Sequence, residues 1–393
     1  MKKNERKKVL ASALALLLCL ALLAGCAGTP ETSPSNSGDP EASTPTTEGI
    51  PESMKPFIED LEPLETPVTL NTGSGTGVVH DFPQYLAEKV GLYDSVGIDL
   101  NISYYSSGPL VVEAMAAKSL DVAGTGIGGL IAGGVQDVFK ITGIRADESV
   151  AQQFIVKTDS QIYKDGINEF GFYGTKESWQ NAEIYVGPAT NLQYALGQAM
   201  EKFGLKLDDL NIVYSDVSNC NTALYADKGD CWGLWNTYAY DSRLSDGYAV
   251  ALSAADVGVS LPAGNYVRND LLENPDYEQA LQLWSDCQFA MVDWMQASDE
   301  NMELAIDYFC EWNDEQGVTA DRDTVSRMMK EFTLYTKEDN VALFTEKGEQ
   351  GFYKATEMLL PAMDFYVYDL ASYTEADMDK ITDDLLDPSL IIE

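Results

Sequence analysis

Three times between Val68 and Val135 a short apolar run gives way to a turn rich in Gly, Ser or Thr, and then to apolar residues at helical spacing. Val68–Asn71 reads as a strand, Gly73–Gly77 as a loop, and Phe82, Tyr85, Leu86 and Val90 as one face of a helix ending near Gly91. Ile98, Leu100, Ile102 and Tyr104 alternate as a strand does; Ser106-Ser107-Gly108-Pro109 turns the chain into a helix carrying Val112, Met115 and Ala116. Leu120–Ala123 is a third strand, and Gly124-Thr125-Gly126 leads into a helical segment from Leu130 to Val135. This alternation constrains the chain to an α/β fold with a parallel sheet. In such sheets a ligand crevice lies beyond the carboxyl ends of the strands.

The same grammar returns further on. Gln153–Lys157 and Glu183–Gly187 read as strands, and Pro188-Ala189-Thr190-Asn191 starts a helix burying Leu192, Ala195, Leu196, Ala199 and Phe203. Asn211–Tyr214 and Tyr248–Leu252 are strands. After Leu271 the chain is mostly helical, with stripes Tyr277, Ala280, Leu281, Trp284 and Met302, Ala305, Ile306, Phe309 read as core.

Ahead of the fold lie a basic head (Lys2, Lys3, Arg6, Lys7, Lys8), an apolar run Val9–Leu23, and Leu23-Ala24-Gly25-Cys26. The run has the length of a signal-peptide core rather than of a membrane span. The pattern resembles a bacterial lipoprotein signal, with 1–25 removed and Cys26 acylated to become the N-terminus. An ordinary cleaved signal peptide and a short anchor are the alternatives. Two or more acyl chains would anchor the protein stably, outside the cytoplasmic membrane. Ala27–Glu52 is Thr, Ser, Pro, Gly and Glu, a composition expected to stay disordered; 26–66 is read as a flexible tether with a reach of about 35 Å.

The net charge of −38 argues against nucleic acid and against an anionic bilayer as partners. Cys220, Cys231, Cys287 and Cys310 permit disulfides outside the cell, Cys220–Cys231 and Cys287–Cys310 being the local pairings, but buried free thiols fit equally well. With no C-x-x-C and His80 as the only histidine, neither a zinc site nor any other metal site is expected. A Ser-His-Asp triad would have to use His80, and no G-x-S-x-G turn accompanies it.

Gly91-Leu92-Tyr93, Gly97-Ile98-Asp99-Leu100, Tyr105-Ser106-Ser107-Gly108-Pro109 and Leu120 to Gly126 together resemble the N-terminal signature of a known family. It is the nitrate/sulfonate/taurine/pyrimidine-precursor class of ABC-transporter solute-binding proteins. Val156–Ser160, Ala182–Gly197 and Gly229–Trp235 resemble later steps of that family, from about Val68 to Asp270 in all; Asn236-Thr237 stands where the family has an acidic residue and a proline. The resemblance implies a type II periplasmic-binding-protein fold, two α/β lobes with a ligand cleft between them. Its parts would be 67–151 as the first part of lobe 1, 152–260 as lobe 2, and 261–393 as the second, mostly helical part of lobe 1. Crossovers would lie near Ala151–Phe154 and Ser260–Gly264. The implied partners are a small solute, most readily a sulfonate or taurine-like molecule, and an ABC permease and ATPase; a monomer without cofactors is expected.

The candidate ligand residues follow from the loops. Ser106, Ser107, Thr125, Gly126, Thr190 and Asn191 sit at expected helix starts, where free N–H groups favour an oxyanion, and Ser74 and Gly108 lie in the loops at strand ends. Plain capping is the competing reading. Trp235, with Asn236 beside it, suits an apolar wall, with core packing as the alternative; Tyr238, Asn219 and His80 complete the set. Asp216 and Asp241 are weaker candidates for an ammonium, and Arg145 is the nearest basic residue. No catalytic residue is assigned. The thiamin-pyrimidine synthases share the implied fold, but their cysteine-rich motif is absent; a sensor or adhesion module without a transporter is the third class.

Overall fold

The computed structural model describes residues 49–392. The signal segment, Cys26 and the tether as far as residue 48 lie outside the described residues. No helix among the described residues is long and apolar enough to cross a membrane.

Two mixed sheets organise the chain. The strands are β1 (Val68–Gly75), β2 (Ile98–Tyr105), β3 (Val122–Thr125), β4 (Phe139–Asp147), β5 (Gln152–Lys157), β6 (Glu183–Val186), β7 (Asn211–Tyr214), β8 (Cys231–Trp235), β9 (Tyr248–Ser253), β10 (Pro262–Arg268) and β11 (Thr333–Leu334). The helices that matter here are α1 (Phe82–Lys89), α2 (Gly108–Ala116), α3 (Ile127–Gln136), α4 (Asn191–Glu201), α5 (Val217–Tyr225), α6 (Glu278–Gln296), α7 (Asp299–Glu315) and α8 (Arg322–Glu331). The first sheet has the order β11-β4-β10-β3-β1-β2 and the second β7-β6-β8-β5-β9.

The expected parallel pairing holds for β1 with β2 and β3, and for β6 with β7 and β8. The sheets as wholes are mixed rather than purely parallel. The chain leaves the first sheet after β4 and returns as β10, inserted antiparallel between β3 and β4. In the second sheet β5 runs antiparallel to both β8 and β9.

Two further expectations change. Gly73-Ser74-Gly75 is not a loop but the end of β1, paired with Ser103, Tyr104 and Tyr105. The glycine is needed there, because a Cβ on Gly73 would stand 2.8 Å from Leu120 Cδ1 and 2.9 Å from Val111 Cγ1. The stretch 49–66 is no free tether. Ile50, Met54, Ile58 and Leu64 are buried, Lys55–Phe57 forms a 3-10 turn, and Ser53 Oγ accepts from Trp294 Nε1 at 3.2 Å. Apolar residues four to six positions apart are hidden in a polar composition, and they pack on the core that α6 helps to build.

Candidate functional site

A cavity of about 290 Å³ lies at the carboxyl ends of strands from both sheets. In the first sheet it is met by the ends of β1 (Gly75), β2 (Tyr105) and β3 (Thr125); in the second, by residues following β6 (Ala189), β7 (Asp216) and β8 (Asn236). The placement follows from topology, since side chains and helix starts converge where parallel strands end. The volume sits at the small end of the roughly 300–1,000 Å³ range of ligand pockets.

Helix starts dominate the lining. The first turns of α2, α3, α4 and α5 all contribute residues. Neither Ser107 at the start of α2 nor Gly126 at the start of α3 caps its helix with a side chain, so Gly108 and Leu110 N–H on α2 and Ile127 and Gly128 N–H on α3 have no side-chain cap; Pro109 has no N–H, and Gly129 N–H donates to Gly126 O at 3.0 Å. At α4, Thr190 Oγ1 receives the Gln193 N–H and donates to Gly187 O at 2.7 Å. Its hydroxyl is thus already used in capping. Gly108 and Gly129 let α2 and α3 approach closely: a Cβ on Gly108 would stand 3.1 Å from Gly129 Cα.

Of the residues expected from sequence, Ser106, Ser107, Gly108, Thr125 and Gly126 line the cavity from the first lobe, with His80. Thr190, Asn191, Trp235, Asn236 and Tyr238 line it from the second. Ser74 does not. It is buried and donates to Asp81 Oδ2 at 3.0 Å. Asn219 does not either; its N–H and Nδ2 donate to Asp216 at 2.9 and 2.6 Å, so it serves the start of α5. Asp216 lines the cavity. Asp241 is not part of the lining, and Tyr225 donates to it at 2.7 Å.

Sequence reasoning missed Glu148 and Gln152, which line the cavity from the crossing between the sheets. Glu148 joins the lobes. Its Oε1 lies 2.8 Å from His80 Nδ1, and its Oε2 accepts from Asn191 Nδ2 at 2.6 Å. A lone acidic residue in so acidic a chain carries no sequence signal. Behind the cavity, Arg145 is buried in an ion pair with Asp81 and donates to Asn265. Asp81 also accepts the Gly75 N–H at 2.6 Å, which fixes the end of β1. Arg145 is therefore a support beneath the site rather than part of its lining.

Burial disfavours a charged His80, but the carboxylates of Asp81 and Glu148 outweigh it and hold the imidazole above its ordinary pKa of 6.5, with Arg145 opposing. Protonated His80 then stabilises the fold. The contribution is complete below pH about 6.5 and is lost as pH rises through the raised folded-state value. Glu88, pushed up to about 7 by burial and by Asp94 and Asp99, titrates in the same window. The comparison with His80→Gln isolates the histidine. Denaturant unfolding across pH 6 to 9 should show a steeper loss of stability in the wild type than in the variant; equal slopes would refute the coupling.

Cys220, Cys231, Cys287 and Cys310 are free thiols. No group of three or more His, Cys, Asp or Glu side chains among the described residues is arranged to hold a metal ion.

No protein-family model matches the chain. Curated relatives from Brucella abortus and Brucella suis, named only as binding proteins, are 26% identical over 152 residues, which is 38% of this chain and 42% of theirs. The match thus spans about two fifths of those relatives' length. Solved structures align over far more. The periplasmic aliphatic sulphonate-binding protein SsuA of Escherichia coli matches with a TM-score of 0.59 at 14% identity, over 81% of this chain and 98% of its own. The alkanesulfonate-binding protein SsuA of Xanthomonas axonopodis pv. citri, bound to MOPS, gives 0.58 at 14%, over 78% and 95%. The nitrate-binding protein NrtA of Synechocystis gives 0.59 at 14%, over 82% and 88%. The chain has the fold of the periplasmic binding proteins: two α/β lobes with a cleft between them. The cavity occupies that cleft.

Proposed function

We propose that this chain is the solute-binding component of an ABC importer, holding a small organic oxyanion in the interlobe cavity and delivering it to a permease driven by an ATPase. One observation carries the reading: helix starts from both lobes meet at a small cavity whose lining also includes three aromatic rings, Tyr105, Trp235 and Tyr238. Helix N-termini bind oxyanions without a basic side chain, and the rings can cover an apolar portion. A sulfonate or taurine-like solute has both parts. Nitrate would leave the aromatic rings of the lining without an occupant. The likeness to sulfonate-binding structures supports the sulfonate class. Acylation of Cys26 would place the receptor outside the membrane, held by lipid alone. His80 in the lining is bonded to Glu148 rather than to a hydroxyl, and binding without turnover is the reading. A pyrimidine-precursor binder or a sensor on the same fold is the alternative.

Thermal and chemical unfolding with a panel of sulfonates, nitrate, bicarbonate, pyrimidines and aromatic acids tests this. A sulfonate at a hundredfold excess over its Kd should add about 2.7 kcal/mol of stability. Stabilisation by nitrate or pyrimidines with none from any sulfonate would overturn the solute class.

A further inference from the structure

The carboxyl-terminal segment is fastened to both lobes. Helix α3 packs on the first sheet and α4 on the second, and the segment reaches each of them. Its hold on the first lobe combines main-chain bonds with apolar contact. Leu386 forms a parallel bridge with Ile141 of β4, and the Asp387 N–H donates to Ile141 O at 2.9 Å. Lys140 Nζ donates to Asp384 O at 2.8 Å, and Lys380 Nζ to Val135 O at 2.9 Å. Ile381 and Leu385 close over Gly134 of α3, where a Cβ would stand 3.0 Å from Ile381 Cδ1 and 2.8 Å from Leu385 Cδ2.

The hold on the second lobe is a ring in a notch. Phe365, 2% exposed, lies over Gly197 of α4 so closely that a Cβ there would overlap the ring. Its centroid is 5.2 Å from that of Tyr194 on the same helix. Phe365 opens a π-helical turn, Phe365–Asp369, that follows the helix Leu360–Asp364. Such turns are rare and recur at functional sites. The next residue, Tyr366, stands where the lobes touch. A Cβ on Gly128 of α3 would lie 2.7 Å from Ala189 O, just ahead of α4, and 3.4 Å from Tyr366 Oη. Gly128 and Ala189 both line the cavity. The segment therefore backs the interlobe contact that borders the cavity.

A segment fastened on both sides cannot follow both lobes if they part. One anchor has to give, and ring packing at Gly197 is opposed on the other side by packing plus main-chain hydrogen bonds. We propose that residues 360–391 are a clasp between the lobes, and that Phe365 leaves the Gly197 notch before the cleft opens at Gly128 and Ala189. The clasp goes beyond the receptor reading and does not depend on which solute the cavity holds.

Pulsed electron-spin distance measurements on the full chain, without solute, test it. Spin labels go on Glu113→Cys in α2 and Asp208→Cys in the second lobe, both exposed positions, with the half-exposed Cys310 changed to Ser. The labelled parent should give one main interlobe distance. Phe365→Ala, checked for folding by circular dichroism, should raise the share of a longer distance by about tenfold or more, since the ring that fills the notch is gone. Phe365→Leu keeps apolar volume in the notch and should raise it less. Phe172→Ala opens a comparable space inside the second lobe alone, where its ring meets Phe170, Trp179 and Phe203, and should leave the distance unchanged. A parent already dominated by the longer distance, folded Phe365 variants that keep the parent's distance, or the same lengthening in Phe172→Ala would overturn the clasp. None of these results bears on solute binding, so the receptor reading stands or falls separately.

Discussion

Replacing Arg145 with Met should cost about 3–5 kcal/mol of stability, the usual consequence of leaving a buried charge without its partner. Arg145 is 5% exposed and Asp81 is fully buried. The guanidinium pairs with Asp81, donates to Asn265, reaches Gln84 Oε1 at 3.5 Å and lies 5.9 Å from the Trp284 ring. With Met there, Asp81 keeps His80 as its remaining cationic neighbour, at 3.6 Å. Asp81 also holds the Gly75 N–H and the Ser74 hydroxyl. Its disturbance should therefore reach the cavity through the end of β1. Urea unfolding measures the loss. The double variant Asp81→Asn/Arg145→Met should recover part of it, because the pair is then removed together. A loss under about 1 kcal/mol in the single variant would mean that the site does not rest on this pair.

Trp235→Ala should weaken solute binding by on the order of 1–3 kcal/mol, with the protein still folded. The indole is half-buried, lies in the cavity lining and packs against both hydrophobic cores. It is the only tryptophan of the cavity lining, and its ring offers a solute an apolar face. The binding loss should be larger for an organic sulfonate than for an inorganic oxyanion held by helix starts alone. Calorimetry on both solutes reads the difference. Equal affinity for the sulfonate in wild type and variant would remove Trp235 from the site and, with it, most of the reason for an organic ligand.

The fold was legible because alternation and punctuation survive in single stretches. Ile98, Leu100, Ile102 and Tyr104 alternate, and β2 spans Ile98–Tyr105. Leu192, Ala195, Leu196 and Ala199 recur at helical spacing, and all are buried on α4. Part of the cavity lining was legible too, since Ser107, Thr125 and Thr190 lie at or just before helix starts and topology brings helix starts to strand ends. What failed is what depends on partners far away in sequence. Glu148 matters because it meets His80 and Asn191, separated from it by 68 and 43 residues. Gln152 matters because β5 pairs it with Trp235. Neither pairing leaves a local pattern. Ser74 and Asn219 erred in the opposite sense: both have the right chemistry, but Asp81 and Asp216 use it locally. The buried strap at Ile50, Met54, Ile58 and Leu64 was obscured by the polar residues between its apolar contacts.

The central claim is that the cavity between the lobes holds a small organic oxyanion on converging helix starts. A crystal structure with the tightest sulfonate of the panel tests it most directly. The account places the sulfonate oxygens within hydrogen-bond distance of first-turn N–H groups of α2 and α3, and the organic part against Trp235. A sulfonate bound elsewhere, or held in the cavity with its oxygens away from both helix starts, would contradict it.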